Sequence, residues 1–253
     1  MRRHGNLWGR ITDIHNIYEA YNAARKGKTW QNTIKYFDMH FDDNLFNIQD
    51  GLINKTFTTA PYKEKTVYEP KQRTIYILPF NPDRIVQHAL MNVIEPIWDA
   101  LFIHESYACR KGRGIHSGSK RTMELVRKHK YCLKMDISKF YPSVDHDTLY
   151  DLVQRKLKCR DTLWLIRNII YSFPGGKNVP IGNFTSQWFG NLYMNELDPT
   201  TRNVFTLFDG NRKYLFTISD LVNMFYTSLC NAPYFIPTPV ACKNPYNNTP
   251  FTK

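Results

Sequence analysis

Residues 134–144 read Lys-Met-Asp-Ile-Ser-Lys-Phe-Tyr-Pro-Ser-Val. The run from 131 to 137, which leads into this stretch, alternates between apolar and other side chains. One side carries Tyr131, Leu133, Met135 and Ile137, and the other carries Cys132, Lys134 and Asp136. Because side chains point to opposite faces of a strand with a period of two, the pattern predicts a β-strand. Asp136 then lies opposite the apolar face, where a solvated site can form.

Composition favours a folded protein with a polyanionic partner. The chain has 253 residues, of which 42% are hydrophobic and 15% aromatic, so it is long enough to bury a core. Its net charge of +12 and pI of about 9.4 favour nucleic acid as the partner. The alternative is a basic protein with a solvated positive face.

Several classes of protein do not fit the sequence. The five cysteines include no Cys-x-x-Cys pair, which argues against a disulfide framework or a zinc ribbon and fits a reducing compartment. The histidines form no His-Glu-x-x-His pattern. The basic start is followed by no apolar stretch, and no apolar run approaches the roughly 20 residues that span a bilayer. We therefore expect a cytoplasmic protein, not secreted and without membrane contact.

The periodicity predicts an α/β (α+β) fold with helices packed on an antiparallel sheet. Besides the strand at 131–137, a β-branched and aromatic run at 73–79 predicts another. Helices are predicted at 11–25, 31–55 (a pair), 84–102, 146–157, 160–172 and 184–197, and a glycine-rich basic loop at 105–119. From residue 199 the chain is rich in proline and poor in periodic runs, and only Leu215 to Tyr226 suggests a strand and a short helix. We therefore expect a boundary there, with residues 1–198 folded and residues 199–253 an irregular tail.

Four blocks, in order, resemble one family. They are Arg73…Leu78-Pro79…Asp83-Arg84-Ile-Val-Gln-His88, Ser106-Tyr-Ala-Cys-Arg110-Lys-Gly-Arg-Gly114, Lys134 to Val144, and Pro180-Ile-Gly-Asn-Phe-Thr-Ser-Gln-Trp-Phe-Gly-Asn-Leu-Tyr193. Together they resemble the fingers and palm of bacterial reverse transcriptases of the group II intron, retron and diversity-generating retroelement type. The sequence of the last block is most similar to that of reverse transcriptases of diversity-generating retroelements.

The resemblance implies roles for individual residues. Asp136 would be a catalytic metal ligand for Mg²⁺, with the backbone carbonyl of Ile137 beside it, and Tyr141 would exclude a ribose 2′-hydroxyl. The nucleotide would also meet Ile181, Gly182, Arg73 and Arg110, and nucleic acid would meet Lys71, Lys111 and Arg113. Guanidinium groups suit phosphate oxygens because they present a fixed fork of donors. His88 and His116 are interpreted as structural histidines.

Ile181 stands where group II intron enzymes carry a glutamine that helps position the incoming nucleotide. An aliphatic side chain there would loosen this control and fit error-prone synthesis. The alternative, of equal weight, is that Ile181 only packs.

One expected feature of the family is absent from the sequence. Two divalent cations about 4 Å apart need more than one carboxylate, and reverse transcriptases supply a paired Asp-Asp downstream. The only such pair here is Asp42-Asp43, upstream, and the acids beyond residue 200 are the isolated Asp209 and Asp220. The chain resembles a polymerase that is cut off before its catalytic centre is complete. Its tail is weakly similar to proteins of large DNA viruses.

Three hypotheses follow. The first is an RNA-directed DNA polymerase by ancestry, inactive in this form, whose partners would be an RNA template, a DNA primer, dNTP and an accessory protein of a retroelement. The second is a polymerase remnant that binds RNA without catalysis. The third is a chimeric protein with a viral tail of unknown role.

Overall fold

The computed structural model describes residues 3–68, 72–129, 137, 139–195, 204–209 and 212–217. In the last two ranges it describes the backbone alone. The predicted strand at 131–137 therefore lies outside the described residues, apart from Ile137, which is exposed and belongs to no helix or strand.

Helices dominate the described residues, as the fold class predicts. They are α1 (Trp8–Ile11), α2 (Ile14–Arg25), α3 (Asn32–Met39), α4 (Phe41–Ile53), α5 (Ile85–Asp99), α6 (Ile115–Lys128), α7 (Phe140–Ser143), α8 (His146–Lys156), α9 (Arg160–Ile170) and α10 (Ser186–Asn195). A π-helical turn, Phe80–Arg84, precedes α5. Two antiparallel hairpins pair β1 (Lys63–Val67) with β2 (Arg73–Ile77), and β3 (Val204–Asp209) with β4 (Arg212–Thr217). Within the described ranges, no helix is both long and apolar enough to cross a bilayer.

Two helix starts differ from the sequence predictions. The predicted helix at 11–25 is divided, because the Asp13 carboxylate accepts the backbone N–H of His15 over 2.8 Å and caps a new helix there. The predicted loop at 105–119 is shorter than expected, since α6 begins at Ile115.

Part of the tail that was expected to be irregular forms the hairpin β3–β4. The strands pair from Val204 opposite Thr217 to Asp209 opposite Arg212, so two residues connect them. Those two are Gly210-Asn211 in the sequence, a dipeptide typical of a tight hairpin. This dipeptide between two β-prone runs is the sequence signal from which the hairpin could be predicted.

The chain divides into two compact units. The first comprises Met1–Ser117 with Asp136–Tyr193, and the second comprises Gly118–Met135 with Met194–Lys253. The predicted boundary at residue 198 falls between described ranges and stays a prediction.

The core of the first unit surrounds α5. This helix buries Ile85, Leu90, Ile94 and Trp98 completely, and α2 packs along it. Rings from three neighbouring segments meet at one end, where Tyr21 stacks on Phe37 with centroids 5.0 Å apart and Phe80 contacts both. Burying such aromatic side chains contributes much of the stability of a core.

The first hairpin is attached to the core by polar contacts. The Asn168 side chain of α9 accepts the N–H of Thr59 over 3.0 Å and donates to the carbonyl of Phe57 over 2.8 Å. The hydroxyl groups of Tyr62, beside β1, and Ser172 form a 2.7 Å hydrogen bond in which either can be the donor. These contacts hold β1 and β2 in a defined position relative to α9.

Candidate nucleotide pocket and nucleic-acid surface

The segment Val179–Asn183 lies directly against β2. The backbone N–H of Tyr76 donates to the carbonyl of Ile181 over 2.7 Å. Gly182 has a φ of +124°, and a β-carbon added there would overlap the carbonyl oxygen of Tyr76. Both the backbone conformation and the close approach therefore require glycine at this position.

Tyr141 is hydrogen-bonded to the first residue of the same segment. Its carbonyl accepts the N–H of Val179 over 3.0 Å, and its ring packs on α10 at Gly190, where an added β-carbon would be 3.2 Å from Cε1. Burial raises the pKa of the Tyr141 hydroxyl, and Cys109 nearby raises it further. The structure thus brings Tyr141, Ile181 and Gly182 together, as the resemblance implies for a nucleotide pocket.

The basic loop between α5 and α6 contacts α10. Ala108 accepts a 2.7 Å hydrogen bond from the Asn191 side chain, and the Cys109 thiol contacts the carbonyl oxygen of the Gln187 side chain. Three segments distant in sequence (β2 with residues 179–183, α7, and this loop) therefore meet around α10.

Arg110 is buried in this loop. Its side chain is only 4% exposed, and Nε donates to the Asp99 carboxylate over 2.6 Å. The remaining nitrogens donate to the carbonyls of Asp99, Ile103 and Ser106 over 2.8–3.3 Å. The predicted contact of Arg110 with a phosphate does not match this arrangement, because its donors already bind the protein. Arg110 instead ties the loop to the end of α5.

The other predicted basic residues differ in their surroundings. The Lys111 side chain is 90% exposed, and its Nζ lies 3.1 Å from a carboxylate oxygen of Glu95, whose side chain is only 17% exposed. The Arg113 guanidinium donates to the carbonyl of His104, and Arg73 is exposed at the start of β2. Lys71 lies outside the described residues.

A metal site is not formed by the described residues. In that part of the chain, no group of three or more histidine, cysteine, aspartate or glutamate side chains could hold a metal ion. Asp136, the predicted metal ligand, lies outside the described residues. Of the predicted metal site, the structure describes only Ile137, which is exposed. The described residues therefore do not fit a two-metal centre by themselves.

Gly190 contributes to this site, although it was not among the predicted site residues. Glycine in a helix interior costs about 1 kcal/mol relative to alanine, so its presence in α10 indicates a close approach. Phe140 and Tyr141 both pack at this position, within 3.4 Å of an added β-carbon. Gly190 thereby permits the position of Tyr141.

Three known proteins are similar to parts of this sequence. YkfC of Escherichia coli is 28% identical over 169 residues, which cover 60% of this chain and 43% of that protein. The group II intron-encoded protein LtrA of Lactococcus lactis is 23% identical over 207 residues (72% of this chain, 32% of LtrA). The mitochondrial nuclear intron maturase 4 of Arabidopsis thaliana is 22% identical over 197 residues (74% and 24%). The chain spans less than half the length of these relatives.

Residues 60–217 match the sequence profile of the family described as "Reverse transcriptase (RNA-dependent DNA polymerase)". The match covers more than half of the chain and includes β2, α5, the basic loop, Tyr141 and residues 179–183. Described parts of each block that suggested the family, among them β2, the basic loop, Tyr141 and residues 179–183, are joined by the contacts given above. The chain belongs to the reverse transcriptase family.

Proposed function

We propose that this chain is the fingers and part of the palm of an RNA-directed DNA polymerase of the intron and retroelement type. The observation that carries the proposal is the position of the 179–183 segment between Tyr76 of β2 and Tyr141 of α7. This position brings β2, Tyr141 and Gly182 together, and the resemblance assigns all three to one nucleotide pocket. Residues 1–198 would form this part, although the family match continues to residue 217 and includes β3–β4.

The proposed substrates are a dNTP and a DNA primer on an RNA template. The Tyr141 ring would lie against the sugar, and the backbone of Ile181 and Gly182 would line the pocket. In reverse transcriptases the chemistry depends on divalent metal ions, which stabilise the charge of the transferred phosphoryl group. We propose Mg²⁺ and assign Asp136, with the carbonyl of Ile137, as its ligands in this chain.

Arg73, Lys71, Lys111 and Arg113 would bind the backbone of the template. Arg110 would act through them as a positioning residue, because its buried guanidinium holds the loop that carries Lys111 and Arg113. An accessory protein is a part of the proposal that rests on the resemblance, and a cytoplasmic location is a part that rests on the cysteine pattern and the lack of long apolar runs in the sequence.

The second candidate is a remnant that binds RNA without catalysis. It is favoured by the absence of an Asp-Asp pair downstream of Asp136 in this sequence. A chimeric protein whose residues 199–253 derive from a viral protein would behave in the same way toward RNA. Primer extension by a chain that carries a family-like Tyr-x-Asp-Asp continuation after Asp198 separates the polymerase from these alternatives, because only the polymerase should then synthesise DNA.

RNA binding tests what the candidates share. Fluorescence anisotropy with a DNA primer annealed to an RNA template, between roughly 50 and 200 mM salt, should give a steep loss of affinity. Arg73→Gln and Lys111→Gln should each reduce the slope of log affinity against log salt by close to one unit. Arg155→Gln is the matched control, since it removes one exposed charge on α8. Affinity that does not change with salt would contradict the proposal.

A further inference from the structure

Two consecutive residues of the basic loop bind consecutive turns of α5. Arg110 Nε donates to the Asp99 carboxylate over 2.6 Å, and Lys111 Nζ lies 3.1 Å from a carboxylate oxygen of Glu95. Glu95 and Asp99 are four positions apart, so their carboxylates lie on one face of the helix. Three further bonds from Arg110 to backbone carbonyls anchor the loop, whether or not Lys111 makes its own contact.

Glu95 is the fixed partner of this ion pair, and Lys111 is the partner that can move. The Glu95 side chain is 17% exposed, so its neighbours restrict its conformations, whereas the Lys111 side chain is 90% exposed. A lysine carries its charge on a flexible four-carbon stem, which keeps its freedom in solvent. Lys111 can therefore exchange Glu95 for another anion while the rest of the loop stays in place.

An open cavity lies beside the pair. Its volume is about 610 Å³, and its lining includes Glu95 and Lys111 together with Glu19 of α2. The Lys111 side chain thus borders free space, so an anion can approach its ammonium without displacing other side chains. Within the described part of the chain, Glu19 forms no ion pair. Glu19 is therefore a carboxylate of the same cavity that does not hold Lys111.

We propose that Glu95 is a specificity-determining residue of the basic loop: it competes with phosphate for Lys111, so that Lys111 binds a strand of nucleic acid in preference to a single free phosphate. The inference rests on the proposed function, in which Lys111 contacts the template backbone. It adds an internal competitor that sets which phosphates the lysine accepts.

Effective concentration explains the preference. Glu95 belongs to the same chain as Lys111, so it competes at the high effective concentration of an intramolecular partner. A free phosphate must displace Glu95 at its ordinary concentration in solution. A template strand that Arg73 already holds presents its next phosphates to Lys111 at an effective concentration that is also high. The strand therefore displaces Glu95, and the free phosphate does not.

The first test measures affinity for a DNA primer annealed to an RNA template by fluorescence anisotropy at constant salt. Glu95→Gln removes the competing charge and keeps the size of the side chain. Glu19→Gln is the matched control, since it removes the same charge from the lining of the same cavity. Lys111→Gln and its double variants with each glutamine complete two mutant cycles, and each protein is first checked for wild-type circular dichroism.

Glu95→Gln should tighten binding about fivefold, the upper range for breaking a pair with an exposed lysine. Glu19→Gln should tighten it less than about twofold, because it reduces general repulsion alone. In the Lys111→Gln background, Glu95→Gln should lose its advantage and match Glu19→Gln. Dependence on Lys111 separates competition from a structural effect of the Glu95 substitution.

The second test follows the NMR signal of the Lys111 ε-methylene group, which is assigned with Lys111→Gln. In the wild type, the primer–template duplex should shift this signal, and millimolar inorganic phosphate should leave it in place. In Glu95→Gln, inorganic phosphate should shift the signal as well. In Glu19→Gln, the response should remain that of the wild type.

Three results would overturn the inference, and they separate it from the proposed function. Equal affinities of Glu95→Gln and Glu19→Gln would show that general repulsion is the whole effect. Weaker binding by a folded Glu95→Gln would show that Glu95 presents Lys111 to the strand. In both cases the proposed function stands if Lys111→Gln still reduces the salt slope. A wild type whose affinity for the duplex does not depend on salt would contradict the proposed function, and the inference would fail with it.

Discussion

The carbonyl oxygen of Tyr76 occupies the space that a β-carbon would need at Gly182. The neighbouring hydrogen bond from Tyr76 N–H to the Ile181 carbonyl, 2.7 Å long, fixes the two segments at this distance. A strand of the fingers and the loop before α10 are therefore joined by backbone alone. Any side chain at position 182 must separate them.

We predict that Gly182→Ala lowers the free energy of unfolding by about 3 kcal/mol, because it adds both a steric overlap and a left-handed backbone penalty. Gly9→Ala is the control, since Gly9 lies in α1 with open space around it and no positive φ. That variant should be neutral or stabilising by up to about 1 kcal/mol. Urea unfolding followed by circular dichroism measures both, and equal stabilities of the two variants would contradict the close approach.

Arg110 and its neighbour Lys111 should have opposite effects. Arg110→Met should lower the free energy of unfolding by about 3 kcal/mol, because the Asp99 carboxylate and three carbonyls lose their donors. Lys111→Met should stay within about 0.5 kcal/mol of the wild type, since its side chain is exposed. In RNA binding at a temperature where both are folded, only Lys111→Met should reduce the salt slope. A reduced slope for a folded Arg110→Met would mean that Arg110 contacts phosphate after all.

His88 should make stability depend on pH. Its pKa is about 4 in the folded protein against an ordinary value of 6.5, because burial and the charges of Arg84 and Lys28 oppose protonation. Its contribution is fully present above pH 6.5 and is lost as the pH falls toward 4, since the unfolded chain binds the proton first. The loss should reach about 3 kcal/mol.

The measurement compares urea unfolding of the wild type and of His88→Gln at several values between pH 7 and pH 4. The difference between the two proteins isolates His88 from other groups, including Asp83, whose pKa burial raises. The wild type should lose stability more steeply than the variant through this interval. Parallel curves would show that His88 is not desolvated.

The 253-residue chain should show no detectable templated DNA synthesis with Mg²⁺ or Mn²⁺. One aspartate cannot hold two divalent metal ions, and each 1.4 kcal/mol of lost transition-state stabilisation costs about tenfold in rate. Primer extension on an RNA template is the assay, with Asp136→Ala as the control. Primer extension that disappears in the Asp136→Ala variant would contradict the prediction. It would mean that the missing carboxylates come from Asp209, at the end of β3, from Asp220 or from a second chain.

A chain with a family-like Tyr-x-Asp-Asp continuation after Asp198 should regain synthesis if the missing pair is its only defect. In that chain, Tyr141→Ala should admit ribonucleotides that the Tyr141 protein rejects, because the ring would no longer block the 2′-hydroxyl. Continued rejection of ribonucleotides by an active Tyr141→Ala variant would exclude this role.

The sequence alone determined the family, most of the helices and the strand β2. Periodicity identifies α5, α8, α9 and α10 to within a few residues, because their apolar stripes repeat at helical spacing and bury against one core. The order of the four blocks determined the reverse transcriptase assignment, which the family match confirms. Glycine at 182 and 190 could be recognised as unusual, but their partners could not, because contacts across more than forty residues leave no local pattern.

Only the tertiary structure decided which basic residues face solvent. Arg110 and Lys111 are adjacent in one basic loop, yet one is buried by hydrogen bonds to the end of α5 and the other is exposed. The stacking of His88 on Phe184, with ring centroids 3.7 Å apart, was equally invisible, since it joins α5 to the segment before α10. Charge type is a property of the residue, whereas its desolvation and its partners depend on the packing of segments that are distant in the chain.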